Sequence, residues 1–222
     1  MSHGSAARGC AVLRAAGRSV PFGRGDRLIR AGETGDEVLL VEAGLVKVVL
    51  SCADGVESVV NVLGDDTLLG ECAVLDEQPR SAHVLALLDG RAVHVAARTF
   101  LGLVAEDAAV RRLVDRTCAD RRRNADACRL DQAHDVVTRA GSTMLRWARS
   151  VGTRTAAGLL VRGPSQRDIA QAVAASDQRV EEGLATMRGT GLVQTRRLGY
   201  LITRPDEFER WLAERRRGKD RP

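Results

Sequence analysis

The sequence predicts an α+β protein. Its first half reads as an antiparallel barrel or roll and its second half as mostly helical. Three observations carry this. Asp-Gly pairs sit between β-rich runs, a 25-residue stretch from Glu106 to Leu130 holds neither Gly nor Pro, and a helix, tight turn, helix and hairpin follow one another near the C-terminus. The 222 residues suffice for one large domain or two modest ones. Hydrophobic residues make up 44% but aromatics only 3%, so the core must come from Val, Leu, Ala and Ile.

The strand reading runs from Val38 to Ala97. Val38–Val41 and Leu45–Leu50 flank Glu42-Ala43-Gly44, and Asp54-Gly55 leads into Val56–Leu63. Asp89-Gly90 lies between Ala82–Leu88 and Arg91–Ala97. Asp-Gly between β-rich runs predicts hairpins, because a type I′ turn needs positive φ. After Thr99 the pattern turns helical. The long stretch from Glu106 carries a thin seam of Val110, Leu113, Val114, Thr117, Cys118, Ala125 and Cys128, broken by Arg121-Arg122-Arg123. A long, half-polar helix of this kind is expected between subunits or between domains. A second helix, about 132–151, has a core stripe of Val136, Val137, Ala140, Met144, Leu145 and Ala148.

Residues 152–163 read as a loop or small hairpin. Ser165 with Asp168 forms a capping-box pattern, and Ser176 is a second N-cap. Leu192–Thr195 and Tyr200–Thr203 flank a turn, and Pro205-Asp206 opens a last helix. Two helices joined by a tight turn and followed by a basic hairpin are the layout of a winged helix-turn-helix. The expected division is 1–105 for the roll, 106–132 for the long helix and 133–222 for the winged helix. Charge follows it: residues 1–105 carry a net −3 and residues 106–222 a net +8, which fits either a polyanion-binding face or a solvated helical surface in the second half.

No apolar run approaches the ~18–20 residues of a membrane helix, and no secretory leader is expected. The cysteines, Cys10, Cys52, Cys72, Cys118 and Cys128, form no CxxC. An odd, scattered set fits reduced thiols in a cytoplasm and gives no metal centre. Thiol chemistry at Cys72, Cys118 or Cys128 is kept as a separate reading. The four histidines make no metalloenzyme motif, and neither a nucleophile elbow nor a Walker loop is present, so no enzyme is expected. His83 reads as a strand residue.

The densest chemistry is Gly70-Glu71-Cys72-Ala73 followed by Pro79-Arg80-Ser81-Ala82. Gly70 permits close backbone approach. A helical turn after it would aim N–H groups at an anion. Arg80 offers a forked cation for phosphate oxygens, and Ser81 adds a hydroxyl. Glu71 suits a sugar hydroxyl and repels phosphate. Together they describe a phosphosugar pocket.

These residues resemble the phosphate-binding cassette of the Crp/Fnr regulators, G-E-x-A-x-L followed by P-R-[ST]-A. Gly70-Glu71-Cys72-Ala73-Val74-Leu75 and Pro79-Arg80-Ser81-Ala82 match it nearly in full. The resemblance runs from about residue 20 to 213. It implies a cyclic-nucleotide-binding β-roll, a dimerisation helix and a DNA-binding winged helix, a cytoplasmic homodimer on double-stranded DNA, and RNA polymerase as a further partner. By it Glu71 holds the ribose hydroxyl, Arg80 and Ser81 hold the cyclic phosphate, and the amides of Cys72 and Ala73 assist. Cyclic AMP is the first choice of ligand and cyclic GMP the alternative.

Two departures stand out. A gapless reading puts Asn124 and Ala125 where hydroxyl residues meet the purine in cyclic-AMP-responsive members. Asn124 still donates and accepts, whereas the Ala125 side chain does neither. The second is in the reading helix, Ser176-Asp177-Gln178-Arg179-Val180-Glu181-Glu182, where Asp177 replaces the family's Arg. Acids on a helix meant for a polyanion reduce phosphate-driven affinity. Gln178 and Arg179 can read base edges, while Arg167, Arg188, Arg196 and Arg197 can reach the backbone. A cyclic-nucleotide-binding adaptor that turns the acidic helix toward a protein is the alternative.

Overall fold

A computed structural model describes residues 3–51 and 55–218. In chain order the elements are α1 (His3–Ala16), β1 (Arg18–Phe22), β2 (Arg27–Ile29), β3 (Glu37–Ser51), β4 (Glu57–Leu63), β5 (Leu68–Leu69), α2 (Glu71–Leu75), β6 (His83–Ala96), α3 (Ala97–Glu106) and α4 (Ala108–Asp131). Then come α5 (Val136–Val151), β7 (Thr153–Thr155), β8 (Gly158–Arg162), α6 (Gln166–Ala172), α7 (Asp177–Gly189), β9 (Val193–Arg196), β10 (Gly199–Ile202) and α8 (Pro205–Gly218). The fold is α+β, as the sequence predicts. Two compact units form, one of Met1–Ala53 with Leu63–Asn124, the other of Asp54–Val62 with Ala125–Pro222.

The first sheet is antiparallel in its resolved pairings, with β1, β6, β3 and β4 along its path, β2 on β6 and β5 on β3. Its centre differs from the sequence reading. Asp89-Gly90 makes no hairpin: β6 runs unbroken from His83 to Ala96, paired with a single long β3. The register shifts around Ala43, so Gly44, with φ of +115°, forms an irregularity where a strand break was expected. Gly90 lies opposite that irregularity, and a Cβ there would come within 2.8 Å of Phe22 Cε2. Glycine is needed for close approach of two backbones, not for a turn. Asp89 accepts a hydrogen bond from the Arg24 amide at 2.7 Å and so tethers the β1–β2 connection. The other expected hairpin, at Asp54-Gly55, falls partly outside the described residues.

Helix α1 was not anticipated. It inserts Cys10 and Leu13 into a core formed with Val38, Leu40, Val93, Val95 and Phe100. The long helix forms over the expected stretch. It begins at Ala108, capped by Asp107, whose Oδ1 accepts from the Ala109 and Val110 amides. Val110, Leu113 and Val114 are buried in the same core as Leu13 and Phe100. The first half of the seam thus packs on its own unit. A second cluster of Ile29, Leu39, Val41, Val46, Leu69 and Val84 fills the inside of the roll.

In the second unit β7, β8, β10 and β9 form an antiparallel sheet in that order. The segment 152–163 forms the small hairpin β7–β8, one of the two readings of that stretch, and the β9–β10 hairpin lies where expected. The capping box Ser165–Asp168 and the Ser176 N-cap are both formed. Tyr200 is fully buried, and its hydroxyl donates to the Met144 carbonyl at 2.8 Å. Gly141 lets α5 meet α8 closely, since a Cβ would lie 2.6 Å from Leu212 Cδ2. Asp135 caps α5 by accepting from the Thr138 amide at 2.8 Å, and Arg215 donates to its other oxygen at 3.1 Å. Burial alone would raise the Asp135 pKa. The Thr138 and Arg215 hydrogen bonds outweigh it, and the carboxyl sits below its ordinary 3.8. A depressed folded pKa adds stability above 3.8, and that stability is lost as pH falls through the folded value. Asp135→Ala is expected to cost about 1 kcal/mol at neutral pH, and the difference from wild type should shrink in denaturant melts taken progressively below pH 4 (about the free carboxyl value).

Candidate functional site

The segment Gly70 to Ala82 builds a buried arginine slot. Gly70, with φ of +78°, is the N-cap of α2, and Glu71 opens that helix. Pro79-Arg80 is held by backbone bonds from the Arg80 amide to Glu33 O at 2.9 Å and from the Gly32 amide to Arg80 O at 2.8 Å. The Arg80 side chain is buried. Its Nη1 donates to Gly70 O at 2.6 Å and its Nη2 to Glu37 O. A Cβ on Gly35 would lie 2.9 Å from Arg80 Cζ, and one on Gly70 would overlap Nη1. The two glycines thus leave the room that the guanidinium fills. Burial lowers the Arg80 pKa, while Asp36, Glu37, Glu71 and Glu33 favour the cation. Ser81, next along, is exposed.

Glu71 is completely buried. A buried carboxylate needs partners, and it has them. Arg121 of α4 donates from Nη1 to Oε1 at 2.5 Å and from Nη2 to Oε2 at 3.0 Å. Arg121 Nη2 also reaches Leu68 O at 2.9 Å, and the Cys72 thiol donates to Glu71 Oε1 at 3.2 Å. Arg121 is the residue that the sequence reading missed, because Arg121-Arg122-Arg123 looked like an interruption. The signal was present in the phase. Arg121 follows Val114 by seven residues and Thr117 by four, so it continues the buried face of the helix. Asn124, half-buried, follows Arg121 by three and shares that side. Cassette and long helix are thereby joined by a charge-assisted, two-point contact. His83 is a strand residue, as expected, and its Nδ1 accepts from the Ala31 amide at 2.9 Å.

On the second unit, α7 presents Ser176, Asp177, Gln178, Arg179, Glu181 and Glu182 at the surface. Ser176 is engaged as the cap, accepting from the Arg179 amide at 3.3 Å. The acids are partly answered within the domain. Arg188 donates to Glu181 at 2.6 Å and to Thr195 at 3.2 Å, and Gln178 donates to Glu182 at 3.2 Å. Arg188 therefore serves α7 and the β9 strand. Arg167, Arg179, Arg196 and Arg197 are exposed, the last two at the hairpin tip.

The first unit holds a β-roll with the buried Arg80–Glu71 segment, and the second a helix-turn-helix followed by a hairpin. Residues 19–107 match the cyclic nucleotide-binding domain family. The chain is 27% identical over 193 residues to the CRP-like cAMP-activated global transcriptional regulator of Mycobacterium tuberculosis, covering 86% of each chain. The c-di-GMP-responsive global regulator CLP of Xanthomonas campestris superposes with a TM-score of 0.73 at 15% identity, covering 89% of this chain and 99% of that one. FixK2 from Bradyrhizobium japonicum gives 0.74 at 16%, covering 87% and 96%. Residues 19–107 thus form a cyclic nucleotide-binding domain, and the chain is similar over most of its length to a CRP-like transcriptional regulator. No described helix is long and apolar enough to cross a membrane.

Proposed function

We propose that this regulator is a cytoplasmic homodimer that binds a cyclic nucleotide in the roll and double-stranded DNA through the winged helix. The observation that carries the reading is the pre-built slot for Arg80 beside the buried Glu71. Arg80 and Ser81, with the amides of Cys72 and Ala73, would take the phosphate. Glu71 would take a ribose hydroxyl, and Asn124 the base. A cyclic nucleotide brings one negative charge, and Arg80 supplies one fixed cation. Cyclic AMP is the first choice of ligand, in line with the mycobacterial relative's name.

Glu71 is already occupied by Arg121, so a ribose hydroxyl must share that carboxylate or displace the guanidinium. Either outcome moves a group on α4. Ligand binding would then shift a pre-existing equilibrium of that helix. On DNA, Gln178 and Arg179 would face base edges, with Asp177 the acceptor for a cytosine amino group. Ser176 would sit at the helix start. Arg167, Arg188, Arg196 and Arg197 would contact phosphates, with RNA polymerase the partner on promoter DNA. Domain roles follow the expected division at 1–105, 106–132 and 133–222.

The test is calorimetric titration with cyclic AMP and cyclic GMP, followed by selection of DNA sites from random duplexes with and without the preferred nucleotide. Saturable binding and recovery of a two-fold symmetric site are expected. Recovery of no DNA sequence at any salt concentration would sink the DNA half of the reading. The exposed acids of α7 favour the second reading, a nucleotide-binding adaptor. It predicts nucleotide-dependent capture of a protein partner by the full chain, lost when Asp177, Glu181 and Glu182 are changed to the corresponding amides.

A further inference from the structure

Cys72 and Cys118 meet beside the nucleotide cassette, and the proposed function uses neither thiol. Cys72 is the second residue of α2 and Cys118 lies on α4, 46 positions along the chain. Both are exposed and both are free thiols. Their sulfurs lie within 4.8 Å of each other and of a Glu71 oxygen. The pairing has a structural cause. Cys118 precedes Arg121 by three residues, so the turn of α4 that carries Arg121 to Glu71 carries Cys118 to the neighbour of Glu71.

The same three donors would suit a soft cation by composition. The described structure argues against it. Both Glu71 oxygens accept from the Arg121 guanidinium, and that guanidinium also lies 3.5 Å from Cys72 Sγ. A metal ion would have to displace a cation from a buried carboxylate. A covalent bond between the sulfurs needs no such displacement. Both side chains are exposed, so they can turn toward each other to close the gap to the ~2.05 Å of a disulfide.

We propose that Cys72 and Cys118 form an oxidation site, which a hydroperoxide converts to a disulfide tying α2 to α4 next to the Glu71–Arg121 contact. Cys118 attacks first. Burial and the Glu71 charge push the Cys72 thiol up to about 11, so it stays protonated at neutral pH. The Cys118 sulfur attacks, because the Cys72 S–H is engaged with Glu71 Oε1; the O–O bond breaks, the thiol proton is lost, and a sulfenic acid forms with, for hydrogen peroxide, water. The Cys72 sulfur then attacks the sulfenyl sulfur. The S–S bond forms, the S–O bond breaks, and the Cys72 proton leaves with the departing hydroxide as a second water. Two thiols lose two electrons and two protons in all, and the peroxide is reduced to two waters.

The experiment treats the full chain with stoichiometric hydrogen peroxide and reads intact mass and a non-reducing peptide map. The expected result is a loss of about 2 Da, a peptide pair joined through Cys72 and Cys118, and full reversal by dithiothreitol. Cys118→Ser should abolish the joined pair. Because Cys10, Cys52 and Cys128 are also present, a variant retaining only Cys72 and Cys118 should give the same mass loss. Three results would overturn the proposal. They are a gain of about 32 Da on Cys118 as sulfinic acid without any linked pair, a bond between two copies of the chain, and a linked pair that omits Cys72. The readout is a mass, so it stands whether or not the chain binds a nucleotide.

Discussion

Arg80→Ala should weaken cyclic-nucleotide binding by about 100-fold or more, equivalent to roughly 2.7 kcal/mol. The reasoning starts from the slot. The guanidinium is anchored by Gly70 O and Glu37 O and confined by Gly35 and Gly70. Hydrogen bonds to a charged group contribute about 1.5–3 kcal/mol each, and a phosphate facing an empty slot would lose its counter-charge as well. The same substitution removes two internal tethers, so the variant should also melt a few degrees lower. Calorimetry at a temperature where circular dichroism shows the variant folded separates the two effects. Arg80→Lys keeps the charge but cannot span both carbonyls, and an intermediate loss of about tenfold is expected. Wild-type affinity in folded Arg80→Ala would remove the cassette from the account of ligand binding.

Gly90→Val should be the most damaging single change in the roll. The new side chain would run into Ala43 O and Phe22 where β6 faces the β3 irregularity. Neither neighbour can yield cheaply. Ala43 is backbone within the longest strand pair, and Phe22 lies directly across from Gly90. Overpacking of this kind costs roughly 3 kcal/mol, and the first thermal transition should fall by about 6–12 °C. Gly102→Ala is the control. It sits in α3 with nothing near a new Cβ, and it should hold or raise the melting temperature. Equal behaviour of the two variants in a calorimetric scan would refute the close-approach argument.

Most of the winged helix was legible because local chemistry decides it. Ser165, Asp168 and Ser176 make caps with their immediate neighbours, and the β9–β10 turn is equally local. The roll was harder. Asp-Gly was read as a turn at Asp89-Gly90 because hairpin propensity is a local signal, whereas the real constraint is a strand passing close on the other side. Helix α1 escaped notice because its packing on Val93, Val95 and Phe100 is entirely tertiary. At the site, Gly70, Glu71 and Arg80 could be named from spacing alone. Their partner Arg121 could not be read from the cassette, since the contact joins positions 50 residues apart. It was recoverable only by extending the buried face of α4 through the three arginines.

The burial of Val110, Leu113 and Val114 in the roll's own core has a mechanical consequence. A helix whose first turns form a wall of the sensor cannot pivot as a detached rod. Any rotation of it must repack Phe100 and Leu13 or be confined to the turns beyond Thr117. Those are the turns that carry Cys118, Arg121 and Asn124. The contact to Glu71 therefore lies within about two helical turns of the packed start of the helix, so a ligand that displaced Arg121 would act on α4 just beyond the part held in the sensor core.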